Sequence, residues 1–403
     1  MKLIQPLLMA ASVGAAVLLG CQSASSDPAG RAILPRQVTA ASTAPPSLQH
    51  AVDEIARDAQ VVDVGELPSL NAIIPELAPK RLVFIGENHD RFEHHLVQLA
   101  IISRLYERNP ALAIGMEFFQ VPFQPYLDEY VAGRLDDEAL LEATEYFDRW
   151  GFDFRLYQPI LRFARKHRIP LVALNVSKEL VEKVSSNGLK GLAQSDRAEL
   201  PTRIAPADAL YRERLRLIFE LHPAGELKDF ERFVEVQLLW DESMAKTAAQ
   251  YLATHPNRSL VVLAGNGHLA FRAGIPERVQ RQVQVDSAVV LNGAHSGIEP
   301  GIADYVVLPR ERALAPAGRM EVLLDASAET VRIKSLDVGS AAAVAGMKAG
   351  DALVTVGGRP IRALADVKIA LWDRLPGERV SVRVRRDRKL FGQEDRAFEV
   401  ELR

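Results

Sequence analysis

Four short apolar runs, each closed by a glycine or an asparagine and followed by polar residues, constrain this chain more than any other feature. They are Leu82-Val83-Phe84-Ile85 before Gly86, Ala111–Ile114 before Gly115, Pro170–Leu174 before Asn175, and Ser259–Ala264 before Gly265. Helical spacing separates them: over Phe92–Arg108, Leu96, Leu99, Ile102 and Leu105 recur every three or four residues, and Gln158–Lys166 reads the same way. Continuous apolar strands alternating with helices predict an α/β fold with a mostly parallel sheet flanked by helices. Val283–Leu291 and Asp304–Leu308 add a fifth and a sixth strand. The stretch from about Ser177 to Gln250 is mostly helical and longer than a crossover, so it predicts a cap beside the sheet.

The chain before the first strand reads differently. Met1-Lys2 precedes an apolar run, Leu7 to Gly20, in which only Ser12 is polar. That run is too short to span a bilayer and suits a signal-peptide core. It ends in Leu18-Leu19-Gly20-Cys21, which resembles a bacterial lipobox whose cysteine becomes the lipidated first residue. Cys21 is the single cysteine of 403 residues, so no internal disulfide or thiolate metal cluster exists. Gln22 after it resembles outer-membrane sorting, and the Ser-, Ala-, Pro- and Thr-rich stretch that follows reads as a tether. With 49 basic and 52 acidic residues the chain has no bulk basic character of the kind nucleic-acid binding needs. The expected organisation is a signal peptide over 1–20, a tether over 21–62, an α/β domain over 63–310, a linker at Ala313–Gly318 and a β-rich module over 318–403.

In an open parallel sheet ligands bind beyond the carboxyl ends of the strands. There this sequence places Glu87 and His89, then Glu117, Asn175 and His268. Two imidazoles and two carboxylates are suitable ligands for a divalent metal, and a Glu–His pair is equally suited to general-base work without one. Spacing does not choose between them. His95 shares the inward stripe of Leu99 and is expected to reach the rim, whereas His94 is expected to face solvent. Gly265-x-Gly267-x-x-Ala270, with Asp286 beyond, imitates a dinucleotide fingerprint, but Gly274-Ile275-Pro276 interrupts the helix that fingerprint requires.

Gly86-Glu87-Asn88-His89-Asp90, Gly115-Met116-Glu117-Phe118-Phe119-Gln120, Trp150, Tyr157-Gln158-Pro159-Ile160, Asn175, Gln237–Ala245 and Gly265-Asn266-Gly267-His268 together resemble the ChaN family. The resemblance covers about residues 65–310. It implies a bacterial lipoprotein that binds haem and serves iron uptake, in a superfamily shared with Tiki and TraB proteins. Tiki members are metal-dependent proteases with paired Gly-x-x-His motifs and a glutamate, which Gly86–His89, Gly265–His268 and Glu117 match. The resemblance therefore implies two readings. One is haem or iron-complex binding; the other is a metal-dependent hydrolase using Glu87, His89, Glu117 and His268. Haem needs an apolar slot and an axial His, Tyr or Met. The cluster Phe118, Phe119, Phe123, Tyr126 and Tyr130 offers aromatic surface, though core packing accounts for it equally well, and Tyr126, Tyr130, Tyr157 and Tyr211 are open candidates for the ligand.

The C-terminal module is similar to a bacterial PDZ domain through Gly339–Gly346, Lys348-Ala349-Gly350-Asp351, Val356–Ile361 and Pro376-Gly377-Glu378. A helix from about Leu364 to Trp372 would wall a groove that receives an extended peptide by strand addition. The carboxylate loop is expected at Gly318, Arg319, Met320, Glu321 and Val322, where Glu321 would repel a peptide carboxylate. A third reading, a PDZ-based adaptor, follows from this module, as does its use for docking within the chain alone.

Overall fold

The computed structural model describes residues 65–220, 229–293, 298–327, 329–388 and 392–403. The signal-peptide and tether segments lie outside them. Ile73–Arg403 form one compact unit. The described part of the other unit, residues 65–72, is a turn that ends in a single 3-10 turn at Leu70–Ala72.

The first sheet is built from β1 (Leu82–Glu87), β2 (Leu112–Gln120), β3 (Leu171–Asn175), β4 (Ser259–Gly265), β5 (Ser287–Asn292) and β6 (Tyr305–Val307). Its spatial order is β3-β2-β4-β1-β5-β6, and every adjacent pair is parallel. β1 and β3 are buried along their whole length because helices cover both faces, which is why they read as unbroken apolar runs. One core cluster joins Leu82, Phe84, Val262 and Val289 of the sheet to Met244, Ala248 and Leu252 of a long helix and to Val279 of another.

The helices that bear on function are α1 (Phe92–Arg108), α2 (Gln124–Val131), α3 (Asp137–Ala143), α4 (Tyr146–Arg149), α5 (Gln158–His167), α6 (Lys178–Asn187), α7 (Ala209–Glu220), α8 (Phe230–Thr254), α9 (Asn266–Leu269) and α10 (Ile275–Gln282). α6, α7 and most of α8 supply the expected cap. α8 starts at an Asp229 N-cap whose carboxylate accepts from the Glu231 and Arg232 amides. The turn after β4 is one short helix followed by Phe271 in the left-handed region at φ 56, so no fingerprint helix follows the glycines.

The second sheet holds β7 (Val322–Asp325), β8 (Arg332–Leu336), β9 (Ala352–Val356), β10 (Arg359–Pro360), β11 (Arg379–Asp387) and β12 (Gln393–Glu401), with α11 (Ala341–Val344) and α12 (Leu364–Leu371) packed on it. Its order is β12-β11-β9-β8-β7 with β10 on β9, all antiparallel, so β7 is an edge strand. Val331, Ile333, Leu353, Val382 and Val400 fill its own core.

Candidate functional site

Three neighbouring strands of the first sheet, β2, β4 and β1, end at one place and carry Glu117, His268 and the pair Glu87–His89. β4 lies between the other two although it comes last in sequence, so residues 87, 117 and 268 meet at a point where strand order reverses. The register of β2 against β3 shifts between Met116 and Gln120, which frees Glu117 from regular pairing. Asn175 at the end of β3 fixes that backbone by donating to the Glu117 carbonyl at 3.0 Å. The Glu117 carboxylate in turn accepts the Gly265 amide at 2.7 Å. A side chain at Gly265 would place its Cβ 3.2 Å from Nε2 of His89 and 3.7 Å from Oε2 of Glu117. Glycine there lets the imidazole and the carboxylate close over the strand end.

Each imidazole is oriented from behind by a carboxylate. Nδ1 of His89 lies 2.8 Å from Oε1 of Glu87, and Nδ1 of His268 lies 2.7 Å from Oδ1 of Asp241 on α8. A carboxylate accepts only, so each Nδ1 carries a proton and each Nε2 is turned to the centre. Nε2 of His268 stands 3.5 Å from Oε1 of Glu117. Asp241 is fully buried, and its second oxygen accepts from the Tyr211 hydroxyl at 2.5 Å.

Glu87 does not face the centre. It is 2 % exposed, and besides His89 it receives Gln98 at 2.8 Å, Nδ1 of His95 at 3.0 Å and the Tyr157 hydroxyl at 3.2 Å. Nε2 of His95 lies 3.2 Å from the His89 carbonyl, so both ring nitrogens of His95 meet acceptors and the ring is an imidazolium. His95 thus reaches the rim as expected. His94 does not face solvent: it is 3 % exposed, and its Nδ1 accepts the Asn88 amide at 2.9 Å. α1 is rotated from its expected setting. His94, His95 and Gln98 point inward while Leu96 and Leu99 are only half-buried, because the end of β1 needs polar partners.

The electrostatics follow from burial and pairing. Burial alone would raise the Glu87 carboxyl, but the charge of His95 and the hydrogen bonds from His89 and His95 prevail and hold it well below the usual carboxylate range. Burial would lower His95, but Glu87 holds it above its ordinary value. His268 is likewise opposed by burial, yet Glu117 and the Asp241 hydrogen bond raise it to about 9. His94, buried without a carboxylate bonded to its ring, is lowered to about 4.

An aromatic wall closes the side of the site next to His89. Its ring packs edge-on to Trp150 at 4.8 Å and against Phe152 at 5.1 Å. The Trp150 indole donates to the Tyr157 hydroxyl at 3.1 Å, and Phe118 lies 4.1 Å from the Tyr157 ring. Phe118, Phe119 and Tyr130 are buried, so packing accounts for most of the aromatic cluster after β2. Sequence reasoning left Asp241, Trp150 and Tyr157 without roles in this site. Asp241 stands next to Glu242 in the middle of a long helix, and nothing in the spacing there sets it apart.

His89, Glu117 and His268 are chemically suited to hold a divalent cation. Among the described residues, however, no group of three or more His, Cys, Asp or Glu side chains is spaced to hold a metal ion. Both Nδ1 atoms are committed to carboxylates, and Glu87 stands behind His89. The arrangement as it stands is two carboxylate-backed imidazoles facing one glutamate.

In the second sheet, two amides of the expected carboxylate loop are spent internally: Gly318 donates to the Arg374 carbonyl at 2.8 Å and Arg319 to the Arg403 carbonyl at 2.7 Å. The Met320 carbonyl accepts the Ala342 amide. Glu321 sits at φ 56, and its carboxylate accepts the Ala341 amide at 2.8 Å. Val322 opens β7.

Residues 73–279 match the family described as haem-binding uptake, Tiki superfamily, ChaN, and residues 318–402 match the PDZ domain. The structure is similar to that of ChaN from Campylobacter jejuni, described with cofacially bound haem. The TM-score is 0.50 and the identity 19%, over 61% of this chain and 93% of that one. Protein RETICULATA-RELATED 5, chloroplastic, of Arabidopsis thaliana is 24% identical over 238 residues, 54% of this chain. The chain spans 31% of the length of that curated relative.

Proposed function

Because the chain belongs to the ChaN-like haem-binding family of the Tiki superfamily, we propose that it is a lipid-anchored envelope protein that binds haem or an iron complex in the service of iron uptake. Family membership is the observation that carries this reading. The side chains favour one location for haem. The imidazole Nε2 atoms point at Glu117 and Gly265, and the side chains of His89 and His268 are only 11% and 10% exposed, which leaves no room for a macrocycle there. Of the four candidate tyrosines, Tyr130, Tyr157 and Tyr211 are buried with their hydroxyls bonded to Asp137, Glu87 and Asp241. Tyr126 on α2 is 41% exposed, and the Phe123 ring lies 6.3 Å from its own. The Arg149 guanidinium lies over that Phe123 ring at 4.7 Å. That guanidinium is already paired with Glu145 at 2.7 Å and Glu179 at 2.9 Å, so the surface offers an apolar face with an exposed phenol; this suits a flat macrocycle, and Tyr126 is our assigned axial ligand.

Haemin titration of the purified protein followed by absorbance tests this. A saturating Soret band in the wild type, displaced and weakened in Tyr126→Phe, supports it. Equal spectra in the two proteins refute Tyr126, and no band in either refutes haem binding. The anchor is tested by Cys21→Ala, which should abolish lipid attachment and leave an unprocessed precursor by mass spectrometry. A variant still processed and membrane-bound as before refutes the lipid anchor at Cys21.

The paired imidazoles favour a second reading, a hydrolase centred on Glu117. In it the Nε2 lone pair of His89, fixed by Glu87, takes a proton from the attacking water, and the His268 imidazolium, fixed by Asp241, donates to the developing oxyanion or leaving group. Turnover of chromogenic esters or peptides, lost in both His89→Ala and Glu117→Gln, is its signature. Turnover that persists in both variants excludes it.

A further inference from the structure

The helix that walls the PDZ groove also touches the first sheet's helices. Leu364, Lys368 and Leu371 form one stripe of α12, spaced four and three residues apart. Leu364 and Leu371 pack into the PDZ core with Val322 and Leu324 of the edge strand β7. Between them the Lys368 ammonium lies over the ring of Phe147 in α4, 5.6 Å away. α4 therefore stands on the stripe that would receive a peptide added along β7.

Two further contacts hold it there. The Arg359 side chain, 14% exposed, reaches Glu138 at 2.6 Å and Glu142 at 2.7 Å, both on α3. The Trp372 ring, one residue past α12, meets Phe154 edge to face at 5.3 Å. Phe154 is fully buried and packs on Tyr146 at 5.3 Å, and three residues on is Tyr157, which joins Trp150 to Glu87. The linker is pinned to the same shell, with Glu311 on Arg91 at 3.2 Å and the Ala315 carbonyl on Arg155 at 3.0 Å.

We propose that the PDZ groove is autoinhibited by α4 of the chain's own α/β domain, and that an extended peptide which opens this contact loosens the aromatic wall behind His89. The groove and the strand-end site are then two ends of one device, joined through Trp372, Phe154, Tyr157 and Trp150. This holds whether the site serves haem binding or hydrolysis, since it concerns the wall common to both.

The chain has three tryptophans, Trp150, Trp240 and Trp372, so its indole N–H spectrum is a direct reporter. Arg359→Glu should displace the Trp372 and Trp150 signals and leave Trp240 in place. It should also raise binding of a library of heptapeptides with free carboxyl termini by about tenfold or more. Adding Glu138→Arg and Glu142→Arg in that background should restore the wild-type spectrum and the weaker peptide binding. The double variant Glu138→Gln/Glu142→Gln, whose sites are 54% and 66% exposed, opens the same contact without touching the PDZ core. A Trp372 signal that moves while Trp150 stays fixed overturns the coupling. Equal library binding by closed and opened proteins, including none by either, overturns the autoinhibition. An unmoved Trp372 in both opened variants overturns the contact itself.

Discussion

Replacing Glu117 by glutamine should bring the His268 pKa down from about 9 most of the way to its ordinary 6.5. Glutamine keeps the size of the side chain and an oxygen that still accepts the Gly265 amide, so the change removes charge and little else. Unit charges 3.5 Å apart interact by about 5 kcal/mol at an effective dielectric of about 20. That is equivalent to about three pH units. Asp241 remains 2.7 Å from Nδ1 and retains part of the effect, so a fall of about two units is expected. Ring-proton NMR of His268 from about pH 5 to 10 measures it directly. A second readout is stability. The His268 pKa is raised on folding, so its contribution is fully present below pH 6.5 and is lost as pH rises through about 9. The rise from 6.5 to about 9 is worth about 3 kcal/mol. In Glu117→Gln the alkaline decline in unfolding free energy over that window should flatten. If the His268 midpoint moves by less than about half a pH unit, Glu117 and His268 do not share a site and the convergence of β2 and β4 on one centre is wrong.

Other outcomes follow from the same structure. Burial lowers the His94 pKa from its ordinary 6.5 to about 4, so stability fully present above pH 6.5 should fall as pH drops toward 4. The loss is about 3 kcal/mol, and His94→Gln should show a shallower acid decline in urea midpoints. Gly86→Ala places a Cβ 2.2 Å from Oδ1 of Asn266 and 2.7 Å from Cδ2 of Leu291. Such overpacking should lower stability by about 1–3 kcal/mol, read as a lower melting temperature. Glu87→Gln leaves the buried His95 imidazolium without its counter-charge and should destabilise by about 3–5 kcal/mol in denaturant unfolding. An unfolding midpoint unchanged from wild type would show that His95 is not charged.

The strands were legible in the sequence because a covered parallel sheet forces unbroken apolar runs, and the α1 and α5 periods were legible for the matching reason. Where the reading strayed, polar residues faced inward. Gly115 read as the end of a strand, but β2 continues to Gln120; the glycine is interior, where a Cβ would meet the Leu174 side chain at 3.0 Å. The apolar stripe of α1 misplaced His94, since hydrophobic spacing does not register a face built from His94, His95 and Gln98. Glu87, His89 and His268 were recognisable by their places at strand ends, and Glu117 by its place just after the apolar run that opens β2. Asp241 was not, because it reaches the site from the middle of α8, a helix more than a hundred residues away from β2 in sequence. The lesson is physical: residues that follow strands are placed by the sheet, whereas those that back them from helices are placed by packing that one sequence does not display.

The position of β4 between β1 and β2 also sets when the site comes into being. A chain still emerging from a ribosome or a translocation channel has β1 and β2 long before it has β4, and these two cannot pair with each other in the native order. Until residues 259–265 insert between them, Glu117 lacks the Gly265 amide and His89 lacks the surface it rests on. The strand-end cluster is therefore incomplete until that segment has been made. It is assembled only when β4 inserts between β1 and β2, a long-range pairing of the slow-forming kind.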